Sequence, residues 1–180
     1  MRVVETVSIQ TYRLDEMDEI PSVDFLKIDI QGDETQVFAN GYDKLSDVLG
    51  VITEVAAIPL YENQPLLDEQ MRILRSFRLD LHKFLFFKTL PLNHASSSHM
   101  NPRRVKNQLI DGDAVFVRSL LNLEDLSTEK LKFLALLSDS VFESFDLVLH
   151  LLHVLDAKGK LPSGAIAKYL KKLPKHLENA

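Results

Sequence analysis

Phe25-Leu-Lys-Ile-Asp-Ile-Gln-Gly-Asp-Glu34 is the stretch from which the rest of the chain is read. Val23, Phe25, Leu26, Ile28 and Ile30 predict a buried strand over 23–30, with a sharp exit at Gly32. A helix over Asp33–Ala39 follows, ended by Asn40-Gly41 as a left-handed cap. Lys27 and Asp29 interrupt the apolar run, where a charge costs free energy unless it is paired or used. In an open α/β sheet, ligands sit beyond the carboxyl ends of the strands. That rule directs Asp29, Gln31 and Glu34 at a site.

Upstream, Val3–Leu14 alternates (Val7, Ile9 and Thr11 against Ser8, Gln10 and Tyr12), which predicts a strand. An acidic turn or short helix at Asp15–Ile20 is closed by Pro21. Downstream, a short helical piece at Tyr42–Asp47 leads into Val48–Val55. This run is β-branched and almost continuously apolar, as expected of a parallel strand covered on both faces. Leu66–Phe77 places Leu67, Met71 and Leu74 at helical spacing. Leu79–Lys88 and Asp113–Arg118 read as two more strands, separated by a polar loop over 90–108 and a turn at Asp111-Gly112. With no helix between them they should pair antiparallel. From Ser127 the pattern is helical: one helix to about Leu137, a second opened by the capping-box pattern Ser140-Val-Phe-Glu143 and running to Ala157, and a third over Ser163–Leu173. The expected fold class is α/β. A partial Rossmann-like sheet, β–(αβ)₂–β with a final antiparallel hairpin, occupies 1–122, and a C-terminal three-helix appendage occupies 123–180.

Composition excludes several classes. Hydrophobic residues make up 46% of the 180, enough for a sizeable core. A net charge of -5 argues against nucleic acid as a partner, since nucleic-acid binders carry a basic footprint. There is no cysteine, so disulfides, thiolate nucleophiles and thiolate metal sites are out. Residues 1–6 show no signal-peptide core. The apolar run Leu147–Leu155, broken by His150 and His153, is too short and polar to span a bilayer. A cytoplasmic protein without membrane contact is the expectation. His150 and His153 lie i, i+3 on a helix face that their leucine neighbours suggest is partly buried. They lack a third ligand, so no metal site is expected. His94, His99, Arg103 and Arg104 fall on the long loop, where a solvated role is the default and contact with a substrate the alternative.

The segment VDFLKIDIQGDETQVFANG, residues 23–41, resembles the hallmark of the FkbM family of S-adenosylmethionine-dependent methyltransferases. The matching positions are Lys27, Ile28, Asp29, Gln31, Gly32, Glu34 and Gly41. Leu14-Asp15, Glu54, Tyr61, Phe77 with Leu79, and Asp113 with Phe116 and Val117 are similar in placement, so the resemblance covers about residues 4–120. It implies a class I methyltransferase sheet, S-adenosylmethionine as cofactor, and O-methylation of a hydroxyl on a small molecule or sugar. It also implies that 23–30 is the fourth strand of seven. In the family the cofactor lies on the first half of the sheet, in a glycine-rich turn and on an acidic strand end. The six glycines here include no G-x-G pair. The chain is therefore expected to be the C-terminal half of such a domain plus a helical tail.

By the same resemblance Asp29 is the catalytic residue, a general base or acceptor ligand. Gln31 and Gly32 lie on the cofactor side, and Glu34, Glu54 and Tyr61 line the substrate crevice. Each has a plainer reading. Asp29 caps the helix or pairs with Lys27, Gly32 is a simple turn, Glu34 favours the helix dipole, and Lys27 makes an ion pair. The rival function is a non-catalytic half-domain. It associates, as a homo-oligomer or with a partner chain completing the sheet, through an exposed strand edge or the helical tail.

Overall fold

The computed structural model describes residues 4–177. Four strands and five α-helices follow in the order β1 (Phe25–Ile28), α1 (Glu34–Ala39), β2 (Gly50–Ala56), α2 (Leu67–Ser76), β3 (Leu79–Leu90), β4 (Gln108–Arg118), α3 (Thr128–Ser140), α4 (Phe145–Ala157) and α5 (Ala165–Leu170). The strands form one sheet in the order β1-β2-β4-β3. β1 and β2 are parallel, and β4 lies antiparallel to both β2 and β3. The fold is mixed α/β with a partial Rossmann-like sheet, as the sequence predicts.

β2 is apolar on both faces because it is covered on both. Val51 and Val55 face α1 and α2 in a cluster with Phe38, Leu74, Ala114 and Phe116. Ile52 and Leu49 face the helical hairpin α3–α4 in a second cluster with Val115, Leu131, Phe142 and Leu151. The C-terminal helices thus share a core with the sheet rather than standing apart from it. Among the described residues no helix is long and apolar enough to cross a membrane.

Several local expectations fail for identifiable reasons. Residues 4–13 form no strand, and Val7 and Ile9 remain 70% and 77% exposed. The alternation is present, but no neighbouring strand accepts its hydrogen bonds. Residues 1–3 lie outside the described part. The strand at 23–30 is confined to Phe25–Ile28, leaving Asp29 just past its end. Asn40 is not left-handed (φ −101°), and Gly41 is required by close packing: a Cβ there would sit 2.7 Å from Leu14 Cδ2. Asp111-Gly112 is not a turn but the interior of β4, where Gly112 lets Phe86 O approach to within 2.3 Å of the position a Cβ would take. Ser140 ends α3 instead of capping α4. Leu137 O accepts from both Val141 N and Phe142 N at 2.9 Å, closing a tight turn that drives Phe142 into the core. α5 is shorter than expected, beginning at Ala165 after the left-handed Gly164.

Candidate functional site

The site follows from strand register. Ile28 pairs with Thr53 across the parallel β1–β2 ladder, so the next residues, Asp29 and Glu54, come to lie beside each other. Alternation puts Asp29 on the face of Phe25, and Glu54 on the face of Ile52. Phe25 and Ile52 both pack toward the helical hairpin. Glu54 in turn pairs with Asp113 on β4, and Asp111 follows two residues away on the same face. The sheet thereby presents a strip of carboxylates beyond its hairpin-covered part.

Gln31 ties the two leading carboxylates together. Its Nε2 donates to Asp29 Oδ1 at 2.8 Å and to Glu54 Oε2 at 3.2 Å, while Tyr61 donates its hydroxyl proton to Gln31 Oε1 at 2.7 Å. Carboxylates only accept, so the amide nitrogen must face them. Gln31 holds this pose from a left-handed backbone, φ 62°, followed by Gly32 at φ 113°. A non-glycine residue pays for such a conformation, and outliers of this kind concentrate at functional sites.

Glu34 braces the turn from below. It is 2% exposed, and its carboxylate accepts from Ile30 N at 2.9 Å and Gly32 N at 3.1 Å. Sequence reasoning missed two further supports. Gln64 packs 3.2 Å from where a Gly32 Cβ would lie, and its Oε1 accepts from Leu60 N and Tyr61 N, which seats the tyrosine. Buried Gln70 accepts from Thr53 Oγ1 and donates to Glu54 O, anchoring α2 to β2 under the site. Its position between Leu67 and Leu74 on the inward face of α2 was the available signal.

Lys27 is exposed on the edge strand β1 and joins none of the ion pairs among the described residues. His150 and His153 are likewise exposed rather than partly buried. The loop carrying His94, His99, Arg103 and Arg104 extends from the carboxyl end of β3, the same end of the sheet as Asp29 and Glu54. Ile30 and Asp33, on the other side of the turn, line an open cleft of about 650 Å³ with Tyr12, Arg13 and Gln36.

Residues 2–81 match the family model described as the methyltransferase FkbM domain. This part of the chain is similar to the FkbM methyltransferase domain. No curated protein and no solved structure matches it. In the FkbM segment the motif residues Asp29, Gln31, Gly32 and Glu34 and the later Glu54 and Tyr61 converge on one turn, as the hydrogen bonds above record.

Electrostatically the turn is strongly acidic. One oxygen from each of Asp29, Glu34 and Glu54 lies within 4.8 Å of the others, an arrangement able to receive a cation, where the sequence led us to expect no metal ligands. Burial, then the charges of Asp29, Glu34, Asp111 and Asp113, push the Glu54 carboxyl above its usual range. A raised folded-state value means that the stabilising, protonated form is fully present below the unfolded value. That stability is lost as pH rises through the folded one. Glu54→Gln should therefore raise stability at pH 7 by about 0.5 kcal/mol, a small gain because water screens a partly exposed charge. The gain should vanish in acid below the ordinary glutamate range. Thermal melts of both proteins from about pH 3 to about pH 8, a range that brackets the ordinary glutamate value of about 4.3, check this; an equal gain at every pH would contradict the charge account.

S-adenosylmethionine is the cofactor that the FkbM family implies. The described residues fit only one side of it. The carboxylates suit a cationic sulfonium, but no glycine-rich turn accompanies them, and β1 has no strand on its outer side to carry one.

Proposed function

We propose that this chain forms the acceptor wall of an S-adenosylmethionine-dependent O-methyltransferase of the FkbM type, acting on a hydroxyl of a small molecule or sugar. The observation behind this reading is the Asp29–Gln31–Glu54 cluster at the carboxyl ends of two parallel strands, in an FkbM-matching segment. Asp29, exposed at the strand end, is the base that takes the acceptor's hydroxyl proton. Gln31 holds its carboxylate in place, and Tyr61 and Glu54 bound the crevice. Such positioning of a base is worth about 10²–10⁴-fold in rate.

A second reading is favoured by the unpartnered outer edge of β1. Here the chain is a half-domain, and another chain supplies the cofactor-bearing strands. Calorimetric titration of S-adenosylmethionine into the full chain, with light scattering alongside, separates the two. Saturable micromolar binding by the monomer supports a self-sufficient site and sinks the half-domain. Absence of binding by a dimer overturns independent catalysis.

A further inference from the structure

At the far end of the sheet the electrostatic sign is reversed. Arg118 ends β4 and is 7% exposed. It lines a cavity of about 320 Å³ together with Tyr42, Ser46, Asp47, Ser76 and Arg78. A guanidinium offers five N–H donors. Arg118 Nη1 donates to Phe77 O at 3.1 Å and Nη2 to Ser46 O at 3.4 Å, while its buried Nε–H has no partner. No carboxylate pairs with it among the described residues. Asp47, the one acid on the cavity wall, is engaged by Lys130 at 2.7 Å. Burying a cation without a counter-charge is costly.

Arg78 brings a second positive charge to the same wall. It is exposed and held in a left-handed backbone, φ 61°. Its carbonyl accepts from Ser119 N at 2.8 Å, which fixes its backbone next to the end of β4. The cavity is distinct from the acidic turn. Arg118 N donates to Leu49 O, before β2 begins, whereas Glu54 lies five residues further along the chain, about 16 Å at the usual strand rise.

From this geometry we infer a second binding site, in which Arg118 and Arg78 receive the phosphoryl group of a small anionic ligand. Arg118 supplies the free Nη hydrogens, and Arg78 supplies charge from the rim. Guanidinium pairs are the usual recognisers of tetrahedral oxyanions. The site does not depend on the methyl-transfer reading.

Thermal unfolding of the full chain in rising inorganic phosphate, with sodium chloride added to constant ionic strength, tests the inference. The midpoint should climb and saturate with phosphate, and chloride alone should leave it unmoved. Arg78→Asn removes the charge while suiting the left-handed backbone, so it should fold and should weaken phosphate binding about tenfold or more. Arg78→Lys should retain most of the binding. A phosphate monoester that binds as tightly as the free ion supports a phosphorylated metabolite as the ligand, and tighter binding of free phosphate supports the ion itself. A phosphate shift that is absent, or the same in Arg78→Asn as in the parent, would overturn the site.

Discussion

Phe142→Ala is expected to destabilise the chain by about 3–5 kcal/mol, the usual cost of emptying a fully buried phenylalanine site. The ring has no exposed surface and meets Phe25 of β1 at a centroid distance of 5.8 Å. It also fills the space left by Gly50, where an added Cβ would stand 2.6 Å from Phe142 Cζ. Its own carbonyl accepts from Lys83 Nζ at 2.9 Å, so the α3–α4 turn is tied to β3 as well. Two neighbouring residues add to this tie: His82 Nε2 lies 2.6 Å from Ser144 Oγ, and Ser144 donates to Asp146 Oδ1. Urea denaturation followed by both far-ultraviolet and near-ultraviolet dichroism should show one transition, moved to lower urea. Helices that melt separately while the sheet signal stays unchanged would disprove the shared core. The pair offers an internal control: Gly50→Ala should be costly in the parent and nearly free in the Phe142→Ala background, because contacting residues are not additive.

Glu34→Ala should cost about 2–4 kcal/mol, since it strands the buried donor Gly32 N, at roughly 1–3 kcal/mol, and the part-buried donor Ile30 N, at less. The loss should also be local. Without the carboxylate the left-handed Gln31–Gly32 turn loses its two backbone ties, so the hold of Gln31 on Asp29 and Glu54 should loosen. Hydrogen exchange at Ile30 and Gly32 should accelerate beyond the change in global stability. Glu34→Gln, which keeps one acceptor oxygen, should lose about half as much. Unchanged exchange at those two amides would show that Glu34 braces nothing. The experiment also bears on the substrate role that the family resemblance implies for Glu34, because a carboxylate engaged by two backbone amides has less capacity left for a ligand.

The sequence resolved the elements with strong periodicity. β2 was legible because a run apolar on both faces has few other uses, and α2 because Leu67, Met71 and Leu74 mark one face. The pairing of β3 with β4 followed from the lack of a helix between them. The candidate site was legible as a set of residue types, since the motif names Asp29, Gln31, Gly32 and Glu34. Its internal division of labour was not. Gln31 joining two carboxylates depends on a register across β1 and β2, and Glu34 turning inward depends on two amides that only the folded turn points at it.

The Phe25–Glu34 stretch determined by itself that a strand ends in a polar turn and that the turn carries a methyltransferase signature. Whether a strand-like pattern becomes a strand is a different matter, as residues 4–13 show, because a ladder needs a neighbour to complete its hydrogen bonds. Tertiary structure alone decided that the C-terminal helices close one face of the sheet, and that Arg118 is left buried with no carboxylate paired to it among the described residues. Both depend on contacts between residues tens of positions apart, and local periodicity carries no record of those.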